Sequence, residues 1–306
     1  MEVWISILIS VCAAATPLLI AATGELVVER SGVLNLGVEG MMIIGAVTAF
    51  STAQVTGNPY LGALAAIVVA SAFSLIFAFM TLTLVTNQVA TGLALTILGL
   101  GLSGMIGQGF VGAPGVKMEA LSIPLLSDLP VVGSLLFGQD LIFYASWALV
   151  FGVWWFLFKT KAGLKLRSVG DNHASAHALG LNVIGIRYCA VLFGGACAGL
   201  AGAHLSLVYV PQWVEGMTAG RGWIALALVV FASWRPGRLL IGAYLFGAVT
   251  IGQFHVQAQG LQIPAQFLAS LPYLATIIVL VLIARNRRLT MINTPASLGK
   301  SFVPDR

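Results

Sequence analysis

GMMIIGAVTAFSTAQVTGNPYLGALAAIVVASAFSLIFAFMTLTLVTNQVATGLALTILGLGLSGMIGQGFVGAPGV, residues 40–116, contains no Asp, Glu, Lys or Arg. A second charge-free stretch lies between Arg238 and Arg285. A helix needs about 20 apolar residues to cross a hydrocarbon layer, so each stretch is long enough to cross more than once. Outward from these runs the composition agrees: charged residues make up 8% of the chain, against roughly 25% in soluble domains, and hydrophobic residues 59%. The fold class is an all-α polytopic membrane bundle. Apolar sequence extends from Trp4 to Ala284, which leaves no room for a soluble catalytic domain.

Uncharged runs bounded by Gly, Pro, Asn or charge predict spans at 3–23, 40–55, 62–83, 89–110, 140–158, 188–210, 222–234, 239–258 and 269–284, about nine to ten in all. The first run is read as a retained span, because Glu2 stands where the basic start of a signal peptide belongs. Residues 1–284 form the permeating domain, and 285–306 a disordered basic cytoplasmic tail. Lys159, Lys161, Lys165, Arg167 and Arg187 surround one loop, Arg235 and Arg238 lie in another, and Arg285, Arg287, Arg288, Lys300 and Arg306 fill the tail. The positive-inside rule makes all three cytoplasmic, so the basic excess marks topology and not nucleic-acid binding.

Two segments break the pattern. Gly24 to Gly32 carries Glu25, Glu29 and Arg30 into an apolar region, and the run Gly222–Trp234 has only about two-thirds of a crossing length. Interrupted helices at membrane depth must be buried in protein or line a wet cavity, and in transporters they mark the pathway. Val38-Glu39-Gly40-Met41 recurs as Val214-Glu215-Gly216-Met217, and the spans preceding the two copies run in opposite directions, as an inverted repeat requires.

Ionisable groups at depth need a partner or water, which singles out Glu39, Glu215 and Arg221, the last two as a candidate pair. His204 and His255 fall in or near spans and read as packing or hydrogen-bonding residues. His173 and His177 are four apart, on one helical face, but in an extramembrane loop without an H-E-x-x-H pattern they read as a solvated face rather than a metal site. Cys12, Cys189 and Cys197 read as packing residues. The glycine rows Gly195, Gly199, Gly202 and Gly101, Gly104, Gly107 read as helix-packing seams.

A nucleotide-cradling loop is missing: Gly299-Lys300-Ser301 has Thr294 where the pattern needs its first glycine. ATP and its magnesium, if used, belong to a partner, and the chain itself needs no cofactor. In the loop 160–186, Asp171 or Asn172 can cap a short helix that Gly180 stops, giving it a small apolar face of Ala174, Ala178 and Leu179. Such a helix on the cytoplasmic surface is suited to a groove on a partner.

The run Gly24-Glu25 through Glu29-Arg30-Ser31-Gly32-Val33-Leu34-Asn35-Leu36-Gly37-Val38-Glu39-Gly40-Met41 resembles the opening of permease subunits of the ribose and branched-chain amino acid type of bacterial ABC importers. The run Glu215-Gly216-Met217-Thr218-Ala219-Gly220-Arg221-Gly222-Trp223-Ile224-Ala225-Leu226-Ala227 is similar to the branch that imports nucleosides with basic membrane lipoprotein receptors. The likeness covers all but the tail. It implies a multi-pass subunit of the bacterial inner membrane with a cytoplasmic C-terminus and no catalysis of its own. Its implied partners are a homologous or identical second permease, an ATP-binding cassette subunit, an extracytoplasmic lipoprotein receptor and membrane lipid, and its cargo is a nucleoside or related small solute.

In that picture Gly170, Asp171, Asn172, Ala174, Ala178, Leu179 and Gly180 form the coupling helix, although His173-Ala174 departs from the Pro-Arg that relatives carry there. Asn35, Glu39, Glu215, Arg221, Trp223 and Gln253 are the candidate pathway residues. The rival class is an ion-coupled carrier, against which the long charge-free spans count. A third class, an intramembrane serine or aspartyl protease, is disfavoured, because no G-x-S-G serine motif is read and the aspartates lie outside the predicted spans or, like Asp140, at the first residue of one.

Overall fold

The computed structural model describes residues 2–121, 133–258, 264–284 and 293–304. All regular structure among them is helical, in the order α1 (Glu2–Arg30), α2 (Val38–Thr56), α3 (Pro59–Ala78), α4 (Gln88–Gly107), α5 (Leu141–Lys159), α6 (Lys161–Asp171), α7 (His173–Ala178), α8 (Val183–His204), α9 (Arg221–Phe231), α10 (Pro236–Ala258) and α11 (Ala265–Ala284). Two spans extend through π-helical turns, Phe79–Thr83 after α3 and Leu205–Tyr209 after α8. Where the chain turns, polar caps replace apolar residues: Asn58 accepts from the amides of Tyr60 and Leu61, Asn87 from Ala90, and Asp140 from Ile142 and Phe143.

Seven helices among the described residues are long and apolar enough to cross a membrane, fewer than the nine to ten expected. The prediction at 222–234 is the short apolar helix α9 of 11 residues, which cannot reach across a hydrocarbon layer. The prediction at 269–284 falls within α11, which is not among the seven.

α1 is the central post. Every residue from Ala14 to Val33 is buried, charged ones included, so this helix is enclosed on all sides. α2 is buried almost throughout its first half, and α8 packs across both α2 and α3. The predicted glycine seam on α8 is real. A β-carbon at Gly199 would lie 2.3 Å from the Ala66 carbonyl oxygen, so small residues there let the backbones touch. The second row differs, since Gly101 faces open space.

α1 ends at Arg30 beside Gly170 of α6 and the Trp234 carbonyl, so Arg30, the loop 160–187 and the turn 235–238 gather at one end of the bundle. The described part of the tail joins them, which corrects the expectation of a disordered tail over 293–304. Ser297 N–H donates to the Gly170 carbonyl (2.9 Å), Gly299 N–H to that of Gly32 (3.1 Å), and Arg187 to that of Lys300 (3.2 Å). These pairings, two between main-chain groups and one from the Arg187 guanidinium, hold the segment where composition alone gives it no reason to settle. Arg285, Arg287, Arg288 and Arg306 lie outside the described residues.

Candidate translocation site

The break expected at 24–32 lies instead at 31–37, since α1 runs unbroken to Arg30, and that turn meets the short-helix segment inside the bundle. After α1, residues 31–37 turn back inward and α2 starts at Val38, buried from its first residue. After α8 and its π turn, the irregular stretch 210–220 leads to α9. Glu39, in the first turn of α2, joins them: its carboxylate accepts from Thr218 Oγ1 (2.6 Å), Gly220 N–H (2.8 Å) and Gly222 N–H (2.6 Å). A carboxylate at the positive end of a helix, taking its otherwise unpaired amides, is the favourable placement for a buried acid. The approach requires glycine at 222, where a β-carbon would lie 2.6 Å from Glu39 Cα.

The same region collects the other candidates unequally. Asn35 is fully buried; its amide donates to Glu25 Oε1 (3.1 Å) and its Oδ1 accepts from Gly37 N–H (2.9 Å), which fixes the turn into α2. Trp223 is 44% exposed while its indole N–H reaches the Leu36 carbonyl (3.4 Å), leaving a broad aromatic face free beside the junction. Arg221 does not pair with Glu215 as expected. It bonds the Met217 and Thr218 carbonyls and lies over the Tyr209 ring at 5.5 Å, because the turn into α9 folds its side chain back on its own segment. Glu215 is exposed, beside Gly104 of α4. Gln253 sits on α10 with a buried, unpartnered Oε1, and none of the described hydrogen bonds links it to the junction.

Residues not singled out from sequence tie this junction to the post. Glu29 accepts from the Trp234 indole N–H (2.6 Å) and Arg30 donates to the Trp234 carbonyl (2.9 Å), so α9 is anchored by Glu39 at its start and by α1 just past its end. Glu25 Oε2 and Glu29 Oε1 are buried without partners. The signal was present in the sequence, as two acids inside an otherwise apolar run. At the far end of α8, His204 Nε2 lies 3.6 Å from Asp140 Oδ2. Asp140 Oδ1 accepts from the Ile142 and Phe143 amides, so its carboxylate caps α5 while its other oxygen faces His204.

A string of G-x-S-G form, Gly101-Leu102-Ser103-Gly104, does lie on α4, which corrects the reading that the motif is missing and raises the question of a serine nucleophile. Ser103 Oγ donates to the Leu100 carbonyl (2.9 Å), and no described hydrogen bond joins it to a histidine, so the pairing a nucleophile needs is absent among the described residues. No group of three His, Cys, Asp or Glu able to hold a metal occurs there either.

At the basic end, the predicted short helix is α7. Asn172 caps it by accepting from Ser175 N–H (3.0 Å), and Gly180, with φ +82°, ends it. Ala176 is its buried residue, packed with Val169 and Val183, while Ala174, Ala178 and Leu179 are exposed, Leu179 by 82%. Asp171 is exposed and Gly170 buried against the Arg30 carbonyl. His173 contacts Arg187 (3.2 Å), and the His173 and His177 rings lie 5.2 and 5.3 Å from Phe302 of the tail. Burial, with the charges of Arg187 and Lys300, holds the His173 imidazole below its ordinary value.

The sequence that builds this arrangement matches a known family. The model of the branched-chain amino acid transport system permease component covers residues 7–284. The chain belongs to this permease family. Among curated relatives, the putative glucose ABC transporter permease protein TsgC13 of Haloferax volcanii is 40% identical over 94% of both chains. The guanosine ABC transporter permease protein NupQ of Bacillus subtilis is 34% identical over 87% of this chain and 88% of its own. The nucleoside ABC transporter permease protein NupC of Lactococcus lactis is 33% identical over 88% and 89%. No solved structure gives a significant match. This permease is thus a multi-pass membrane subunit of ABC transporter type, and such subunits are transport components rather than enzymes.

Proposed function

We propose that this permease admits a nucleoside, moving it by alternating access in an importer powered by a separate ATP-binding cassette subunit. The observation that carries the cargo assignment is the near full-length likeness to two permeases named for nucleoside and guanosine transport. In this reading the solute passes the Glu39-bridged junction. Glu39 and Asn35 hold the two inward-turning segments in place, Trp223 offers an aromatic face on which a base can stack, and Arg221 stands at the entrance. A half-helix held by one carboxylate at its start and by α1 just past its end couples the two segments, the kind of discontinuous element transporters place at the pathway. A second permease completes the path, and a lipoprotein receptor delivers cargo from outside.

The basic end faces the cytoplasm, because Lys and Arg concentrate there. α7 presents Ala174, Ala178 and Leu179 to the ATPase, with Gly170, Asp171, Asn172 and Gly180 setting its geometry. A cysteine introduced at 174 is expected to resist labelling from outside intact cells; labelling from outside contradicts this orientation.

A second reading, a sugar as cargo, is favoured by the 40% identical relative named for glucose. Uptake of labelled guanosine by proteoliposomes holding the complete complex decides between them. Nucleoside cargo predicts ATP-dependent guanosine uptake that excess uridine lowers and excess glucose leaves unchanged. Glucose uptake with no guanosine uptake supports the sugar, and uptake driven by an ion gradient without ATP supports a secondary carrier.

A further inference from the structure

A cavity of about 580 Å³ opens at the basic end between the end of α5 and the turn into α10, lined by Trp154, Phe158, Lys159, Arg235, Pro236 and Arg238. Three cations meet here, and none of them is in an ion pair among the described residues. Arg235 and Lys159 are exposed and Arg238 partly so. α10 starts at Pro236, so the positive end of its dipole points at the same place. Three uncompensated cations and a helix start around one concavity call for an anion.

The surroundings say what carries that anion. Trp147, Phe151, Trp154 and Phe158 recur at spacings of four, three and four, which puts them on one face of α5. They are 43%, 66%, 40% and 37% exposed, a continuous aromatic stripe running away from the cavity. α10 flanks it, with the Trp147 indole N–H on Tyr244 Oη (2.9 Å) and Ile241 and Leu245 exposed by 63% and 46%. From Trp147 to Lys159 the helix rises roughly 18 Å, close to the ~15 Å depth of one leaflet's hydrocarbon. A charged pocket at the interface with an apolar track of leaflet length above it has the shape of a phospholipid, headgroup below and chains along the stripe. Lys159 over the Trp154 ring at 6.0 Å marks the level where aromatic and cation share the interface.

We propose that this pocket binds one anionic phospholipid of the basic-side leaflet, with its phosphodiester held by Lys159, Arg235 and Arg238 and an acyl chain lying on the Trp147–Phe158 stripe. The site is independent of the cargo assignment. Each cation near a membrane surface contributes roughly fivefold to anionic-lipid binding, so the three together give a preference for an anionic over a zwitterionic lipid on the order of 100-fold.

The test is native mass spectrometry of the full-length chain in detergent, titrated separately with phosphatidylglycerol and phosphatidylcholine of identical chains. The wild type should retain one phosphatidylglycerol far more tightly than phosphatidylcholine. Lys159→Gln/Arg235→Gln/Arg238→Gln should lower phosphatidylglycerol binding to the phosphatidylcholine level without changing the latter. Lys161→Gln/Lys165→Gln, which removes charge at the same end but outside the pocket, should keep the preference and serves as the folding control. Equal retention of the two lipids by the wild type overturns the proposal, as does a preference that survives the triple change. If inorganic phosphate at millimolar concentration displaces phosphatidylglycerol completely, the pocket holds free phosphate and not lipid. If the triple variant keeps its lipid preference but no longer copurifies with the ATPase subunit, the cluster is a protein contact and the proposal fails.

Discussion

Val38-Glu39-Gly40-Met41 and Val214-Glu215-Gly216-Met217 share the same four letters and fold differently. The first opens a helix. Glu39 is 3% exposed with both oxygens engaged, and a β-carbon on Gly40 would lie 2.7 Å from Thr96 Cα. The second lies in an irregular turn, with Glu215 exposed and Gly216 at φ +67° with nothing near its missing side chain. Local sequence is identical, so the difference comes from what surrounds each copy. One faces the amides of α9 and the backbone of α4; the other reaches the surface before α9 begins. The two copies follow the antiparallel helices α1 and α8, but only one of them carries the joint.

Substitutions made in parallel at the two copies should separate them. Glu39→Ala strips three buried donors of their acceptor, at roughly 1–3 kcal/mol each, and should destabilise the purified protein by about 3–5 kcal/mol in thermal unfolding. Equal, small effects at 39 and 215 would mean that the junction is not held by this carboxylate. Gly40→Ala forces a methyl into the α4 backbone and should cost about 1–3 kcal/mol, with the α2 to α4 spacing widened. Gly216→Ala meets open space and pays only for the left-handed backbone, roughly 1 kcal/mol. Glu215→Ala, exposed and without a described hydrogen-bond partner, should stay within about 0.5 kcal/mol of wild type.

The same contrast between held and free segments applies at the basic end. His173 titrates below its unfolded value of 6.5, because burial and the charges of Arg187 and Lys300 oppose protonation. The folded state therefore binds protons less readily than the unfolded one. Its contribution is complete above about pH 6.5 and is lost as pH falls through the lower folded value. Hydrogen exchange of residues 293–304 should rise modestly between pH 7 and pH 5 after correction for intrinsic rates, and His173→Gln should flatten that dependence.

Much of this was legible in the chain. The charge-free runs determine the membrane class, the caps at Asn58, Asn87 and Asn172 delimit helices, and Gly180 stops α7 where its type predicts. Span number was not legible and comes out too high, because apolar composition alone places a half-helix such as α9, 11 residues long, among the crossings. Pairings across the bundle were not legible either. Nothing near Glu39 in sequence announces Gly220 and Gly222, and the proximity of Glu215 to Arg221 suggested an ion pair that the turn geometry prevents. The tail's attachment rests on backbone carbonyls and amides together with Arg187 and Phe302, long-range pairings that residue type alone does not announce.

The most direct test of the central claim is the initial rate of ATP-driven guanosine uptake by proteoliposomes carrying Glu39→Gln or Glu215→Gln complexes, each normalised to assembled complex. Glutamine preserves shape at both sites but puts a donor against the amides of α9 only at 39. Uptake should fall at least about tenfold for Glu39→Gln, the loss of roughly one charged hydrogen bond, and remain within about twofold of wild type for Glu215→Gln. Matching rates for the two variants would show that the bridged junction is not where transport is controlled.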